Sequence, residues 1–212
     1  MKKKKKFYTV WIGRMPGIYE DWEACKKQIH GYEGAIYKSF FTLESAQQAY
    51  QEDSAHFIGK DVFMTTLTEE KLEEIGLPLK NSICVDGAWN IQTNVIEYQG
   101  VDYLTKKIIF HVGPYKIGTN NIAEFLALVH ALAYCKNNNL DSVIYSDSRT
   151  AISWVKRKKA ATKIEISDKT KEMLSIIMRA EDWLKTNDYK NEILKWHTEA
   201  WGENPADFGR KK

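Results

Sequence analysis

The chain has 212 residues, 43% hydrophobic and 12% aromatic, enough apolar surface for one large core or two modest ones, which excludes disorder along its whole length. The formal net charge of +3 selects no partner by itself. Its distribution is more telling: residues 1–52 hold nine Lys/Arg against six Asp/Glu, residues 53–80 three against six, and residues 81–212 nineteen against sixteen. Two basic lobes flanking an acidic connector are compatible with a polyanion touched at both ends.

Met1 and the run Lys2–Lys6 resemble the start of a signal peptide, but Gly13 and Arg14 break the apolar stretch that follows. The lysines are read as a solvated tail or as extra counterion-releasing affinity for phosphates. Phe7–Ile12 is rich in β-formers and turns at Gly13 and at Pro16-Gly17. Asp21 can cap a helix over Trp22–Ile29 that Gly31 ends, a strand follows around Ala35–Phe41, and Thr42 with Ser45 opens a helix to about Tyr50. Residues 53–80 read as a linker with one helical piece, Glu69–Ile75, stopped by Pro78.

From residue 81 the pattern is richer. Ser82–Gly87 is a strand carrying an acid, and further strands fall near Val95–Val101 and Ile108–Val112. An amphipathic helix is expected over Ile122–Cys135, then a buried strand Val143–Tyr145, helices over Thr150–Lys158 and Lys169–Lys185, and a strand Glu192–Trp196. Three meandering strands followed by alternating helix and strand predict an α/β (α+β mixed) fold, a mixed sheet covered by helices. No stretch approaches membrane-spanning length, so a soluble chain with no membrane partner is expected. Three scattered cysteines (Cys25, Cys84, Cys135) suggest neither a zinc site nor a disulfide framework, and fit a reducing, cytoplasmic setting.

Four carboxylates stand out, each with a plainer reading beside it. Asp86 follows Ile83-Cys84-Val85 in a central strand, where an ionised group is costly to desolvate unless a cation or several donors meet it; Asp-Gly can also be a turn. Glu124 is either a functional acid or the third position of a capping box begun by Asn121. Asp147 ends a buried strand and can cap the next helix. Asp207 follows Asn204-Pro205, where a helix cap and its first turn are also plausible. In a sheet of this order, Asp86 and Asp147 fall at or near two strand ends, and Glu124 and Asp207 in first turns over the same face. Such a set repels itself without divalent cations, and oxygen-only ligands point to Mg²⁺ or Mn²⁺ rather than Zn²⁺.

Cys84-Val85-Asp86-Gly87-Ala88, then Thr119–Glu124, then Tyr145-Ser146-Asp147-Ser148, then Ala206-Asp207, together resemble the active-site signature of type 1 ribonucleases H across residues 81–212. The ending Trp196–Lys211 resembles that of bacterial members. Phe7–Val10, Gly13–Tyr19, Trp22 and Tyr37–Phe40 resemble the hybrid-binding domain that precedes ribonuclease H domains and occurs in viroplasmin-type proteins. The resemblance implies a ribonuclease H-like mixed five-stranded sheet flanked by helices, plus a small N-terminal three-stranded β/two-helix domain, with boundaries at 1–52, 53–80 (linker) and 81–212.

The same resemblance implies an endonuclease that hydrolyses the RNA strand of RNA–DNA hybrids and leaves a 5′-phosphate and a 3′-hydroxyl. Asp86, Glu124, Asp147 and Asp207 would hold two Mg²⁺ ions (Mn²⁺ substituting), one lowering the pKa of the attacking water and one stabilising the leaving oxygen. Glu203 matches an acid that aids turnover, or is an exposed first-turn Glu favoured by the helix dipole. His197 matches a loop histidine that assists product release, or is a partly exposed polar loop residue. Asn121 would make a minor-groove contact and Thr119 a DNA-phosphate contact, with Thr162 beside it. Arg149 stands where a relative has an amide that meets the 2′-hydroxyl. Tyr8, Trp22 and Tyr37 would pack on DNA sugars and Lys38 would meet phosphate; Trp22 and Tyr37 can also be core aromatics of a very small domain. Ser39 stands where some members carry a second lysine.

Trp154–Lys163 is too short for the basic protrusion that many members carry, so the N-terminal domain is expected to supply the hybrid affinity. The partner implied is the hybrid duplex, met by a monomer with no obligatory protein partner. The alternatives are a non-catalytic hybrid- or dsRNA-binding protein of viroplasmin type, disfavoured by four carboxylates, and an integrase-like nuclease, disfavoured by the ending and the first domain.

Overall fold

The computed structural model describes residues 5–57, 65 and 67–209. Lys2–Lys4 of the lysine run, residues 58–64 and 66 of the acidic connector, and Arg210 and Lys211 of the C-terminal ending lie outside the described residues. The chain divides into two compact units, Met1–Leu77 and Pro78–Lys212.

In the smaller unit, β1 (Phe7–Ile12) is the centre of a three-stranded antiparallel sheet between β2 (Gly17–Tyr19) and β3 (Ile36–Phe40). Asp21 caps α1 (Trp22–Ile29) by accepting from Ala24 N at 2.8 Å, and Thr42 caps α2 (Leu43–Gln51) through Ser45 N at 3.2 Å, as the Asp and Thr positions predict. Strand alternation splits β1 between the helices. Thr9 Oγ1 donates to Ala46 O and Trp11 Nε1 to Ala49 O, so that face meets α2. Tyr8 and Val10 point the other way, toward Trp22 and the Gln28 end of α1. Phe57 closes the α2 side by stacking on Trp11 at 5.6 Å and meeting Phe40 edge-on. Thr68 caps α3 (Glu69–Ile75), which ends at Gly76 in a left-handed conformation (φ 69°).

The larger unit is built on a five-stranded mixed sheet. Its strands are β4 (Ser82–Asn90), β5 (Val95–Asp102), β6 (Ile108–Lys116), β7 (Val143–Ser146) and β8 (Ile193–Lys195), in the order β6-β5-β4-β7-β8. The first three pair antiparallel, and β7 and β8 join parallel after helical crossovers. The helices are α4 (Asn120–Asn137), α5 (Arg149–Lys156), α6 (Lys171–Thr186) and the short α7 (Thr198–Trp201). The mixed α/β class, the five-stranded sheet and the additional three-stranded unit agree with the sequence reading.

Three local expectations are corrected. The helix α4 is not an amphipathic surface helix: Ile122 to Val129 are all buried, because it packs on β4 and β5 and is covered by α5 and α6. Each apolar side chain sunk there contributes roughly 1.5–3 kcal/mol. Its N-cap is Thr119, not Asn121. Thr119 is extended and accepts from Ile122 N at 3.4 Å, so Glu124 lies beyond the capping-box position. No helix follows Asn204. Its side chain turns inward, donating to Val85 O at 2.8 Å and accepting from Ala206 N at 2.9 Å, which spends the cap on a single turn.

Candidate metal centre

The sheet assembles the site. Asp86 is not at a strand end but in the middle of β4, just past Cys84, the last β4 residue paired with β7. Asp147 follows Ser146, the last residue of β7, and therefore emerges beside Asp86. Glu124 reaches the same place from α4, which lies against β4 where Gly87 has no side chain. Carboxylate oxygens of Asp86, Glu124 and Asp147 all lie within 4.8 Å of one another. Asp86 is 8% exposed and Glu124 3%.

Burial dominates the electrostatics. It pushes the Asp86 carboxyl up to about 7, helped by the Asp147 charge and by Asp207, while hydrogen bonds from Glu124 and the Gly87 N–H pull the other way. Glu124 is raised well above the ordinary carboxylate range by burial first and then by the charges of Asp86 and Asp147. The hydrogen bond between them lowers Asp86 and raises Glu124, so the two carboxyls share a proton. Neutral partners add little: Asn120 Nδ2 donates to Glu124 Oε1 at 3.4 Å and Ser146 Oγ to Oε2 at 3.5 Å. None of the ion pairs among the described residues involves these three acids. Convergent, oxygen-only, uncompensated carboxylates fit a hard divalent cation.

Asp86 and Glu124 bind protons more tightly folded than unfolded, so this contribution favours the fold at acid pH and is lost as pH rises through about 7. Without metal, Asp86→Asn should therefore raise stability at pH 8 by about 2 kcal/mol and change it little at pH 4. Urea unfolding in chelator at both pH values checks this; equal effects at the two would contradict it.

Asp207 lies outside the group of three, yet its charge acts on Asp86. It is half-buried, and its Oδ1 accepts from Gly209 N at 2.7 Å. Two residues fix its segment: Asn204, read from the sequence only as a cap, through Val85 O, and Gln99, unremarked in the sequence, the cross-strand partner of Asp86, whose Nε2 donates to Ala206 O at 2.7 Å. The available signal was a buried amide in the middle of a strand, but its partner depends on register. Glu203 is exposed, in a loop rather than a helix. His197 precedes α7, with its ring 5.1 Å from Trp201 and Nδ1 3.3 Å from Glu199 Oε1. Neither Glu203 nor His197 belongs to the carboxylate group.

Of the remaining expected contacts, Thr119 uses its hydroxyl as the α4 cap, while Asn121 and Arg149 are exposed in the first turns of α4 and α5. Thr162 is half-buried and accepts from Ile164 N. In the smaller unit, Trp22 (40% exposed) stands between Tyr8, at 5.5 Å, and Tyr37 (39% exposed), at 5.9 Å. These are surface aromatics rather than core. Lys38 does not join them: it pairs with Thr9 on the α2 face of the sheet, and its Nζ donates to Phe57 O. Adjacent strand residues point to opposite faces, so this separation was readable from Tyr37-Lys38.

A mixed five-stranded sheet over which three carboxylates converge, two of them buried, with a small three-stranded unit before it, agrees with the resemblance to type 1 ribonucleases H that carry an N-terminal domain. Comparison with known proteins supports that relationship. Residues 6–50 match the ribonuclease H1 N-terminal domain family. A ribonuclease H of Crithidia fasciculata is 50% identical over 44 residues, 21% of this chain but only 9% of that protein's length. A ribonuclease H of Schizosaccharomyces pombe is 23% identical over 256 aligned positions, spanning 97% of this chain and 96% of the relative. The solved RNase H1 of Halobacterium salinarum NRC-1 aligns over 54% of this chain and 83% of that one, at 21% identity and a TM-score of 0.33. The chain is thus similar to the ribonuclease H1 N-terminal domain over residues 6–50 and to a ribonuclease H along nearly its whole length.

Proposed function

We propose that the chain is an endonuclease that hydrolyses the RNA strand of RNA–DNA hybrids and leaves 5′-phosphate and 3′-hydroxyl ends. The observation that carries this reading is the meeting of Asp86, Glu124 and Asp147, with burial raising the pKa of Asp86 and Glu124 and no ion pair to any of the three among the described residues. Similarity along nearly the whole chain to a protein named ribonuclease H supports the choice of reaction.

Asp86, Glu124, Asp147 and, from the adjoining segment, Asp207 would hold two Mg²⁺ ions, with Mn²⁺ able to substitute. Bound there, the ions supply an activated water and charge stabilisation at the leaving 3′ oxygen. The protein's own part is to hold the oxygens in place before substrate arrives: the sheet fixes Asp86 and Asp147, and α4 fixes Glu124. The proton shared by Asp86 and Glu124 must leave as the cations bind, so loading is expected to improve as pH rises. Glu203 and His197, one loop away, are assigned to turnover and product release. Thr119, Asn121, Arg149 and Thr162 are assigned to the duplex.

Within 1–52 we assign hybrid binding to Tyr8, Trp22 and Tyr37, a contiguous aromatic platform of the kind on which sugars and bases pack. Lys38 would reach phosphate only by leaving the Phe57 carbonyl. Trp22→Ala should weaken hybrid binding about tenfold and leave kcat at saturation unchanged; fluorescence anisotropy together with steady-state cleavage checks both halves. We read residues 53–80 as a connector and 81–212 as the catalytic domain, acting as a monomer. Three buried, unpaired cysteines support a reducing, cytoplasmic setting. No helix among the described residues is long and apolar enough to cross a membrane.

The test is cleavage of end-labelled hybrid, double-stranded RNA and double-stranded DNA with Mg²⁺ or Mn²⁺. The expected result is cutting of the hybrid's RNA strand alone, abolished by chelator. Hybrid binding without cleavage under either metal would instead establish a non-catalytic binding protein.

A further inference from the structure

Because the segment bearing Asp207 is not a helix, side-chain contacts with the sheet fix its carboxylate. One is the Gln99 bond to Ala206 O. A second lies on the other side of Asp207, where the Phe208 ring meets the His111 ring edge-on at 5.6 Å and 68°. Gln99 and His111 are direct partners across β5 and β6, so the two supports stand side by side on the sheet.

His111 is itself held in place. Its Nε2 is 2.8 Å from Glu97 Oε2, and the Glu97 side chain is only 13% exposed. Glu97 occupies the irregularity where Ile96 pairs with Tyr115 but Tyr98 with Val112. Gly113 allows the close approach there: a Cβ on it would come within 2.8 Å of Glu97 Cβ and 2.9 Å of Glu97 Cα. The extra residue lies in β6, where Gly113 and Pro114 stand opposite the single Glu97; Glu97 and Gln99 share one face of β5, so Glu97 lies diagonal to His111. Neither the sheet core nor the carboxylate group uses this pair.

We infer that Glu97 and His111 are positioning residues, a brace that holds Phe208 and through it sets Asp207 beside Asp86. The inference rests on reading Asp207 as part of the metal centre. In the full chain, His111→Ala and Phe208→Ala should lower kcat on hybrid about tenfold and weaken Mn²⁺ binding, measured calorimetrically without substrate, by a similar factor, because a carboxylate displaced by about 1 Å loses its ligand geometry. KM for the hybrid should stay within about twofold, since binding surfaces are untouched. His111→Phe retains the ring edge but not the Glu97 bond and should restore part of both losses; a variant that merely destabilises the fold would not be rescued in this way.

The Asp207 amide resonance in metal-free protein reads the brace separately: His111→Ala should shift it and His111→Phe should leave it nearer the wild-type position. An unmoved resonance in His111→Ala overturns the brace, whatever the activity. A wild type that neither binds Mn²⁺ nor cuts hybrid overturns the proposed function, and the resonance then still decides the brace.

Discussion

Asp147→Asn is expected to reduce hybrid cleavage by on the order of 10³-fold while leaving the fold intact. The substitution is isosteric and removes one charge from three carboxylates whose oxygens lie within 4.8 Å of one another. The plainer account of Asp147, that it caps the next helix, does not hold. The α5 cap is Ser148, whose Oγ accepts from Ala151 N at 3.2 Å, so helix stability is unaffected. The loss should fall on kcat, with hybrid affinity nearly unchanged. Asp147 is also the largest charge raising Asp86, so the variant should bind fewer divalent ions yet unfold at a higher denaturant concentration at pH 8 without metal. Higher stability with lower activity is the pattern of a site built against its own repulsion. Activity within about tenfold of wild type would mean that the chemistry lies elsewhere.

The sequence made Asp86 and Asp147 legible because their placement is local. Val85-Asp86-Gly87 reads as an apolar strand interrupted by an acid, Tyr145-Ser146-Asp147 as a buried strand ending in one, and both readings need only the two-residue period. What depended on distant pairing was not legible. Gln99 becomes meaningful only once it is opposite Asp86, and His111 once it is opposite Gln99. The Asn204 position illustrates the competition more sharply. Asn-Pro favours a helix start, but the same amide can reach the Val85 carbonyl in a neighbouring strand, and that buried hydrogen bond prevails over the local preference. Thr119 and Asn121 compete in the same way for the α4 cap; both residue types suit it, and the choice goes to the one made extended by the turn before it. In the smaller unit the caps of α1 and α2 fell where the residues predicted, on Asp21 and Thr42.

Gly87→Ala should be among the most damaging single-methyl changes in the larger unit, lowering stability by about 3 kcal/mol and the melting temperature by about 10 °C. Asp-Gly invites the reading of a turn, but both residues lie within β4, paired with Gln99 and Tyr98. The glycine is there for proximity. A Cβ would come within 2.5 Å of Glu124 N and 2.7 Å of the Ala123 carbonyl carbon, backbone atoms that cannot rotate aside. The helix α4 would have to lift from β4, and Phe125, Leu128 and Leu132, all fully buried, would lose packing with it. The same movement draws Glu124 away from Asp86, so divalent affinity should fall together with stability. A neighbouring change separates the two effects. Ala123→Gly removes a methyl that the added Cβ would meet at 2.7 Å, but leaves the 2.5 Å backbone contact. The double variant should therefore recover only part of the lost stability. Full recovery in thermal denaturation would show that side-chain crowding, rather than backbone approach, sets the spacing of β4 and α4.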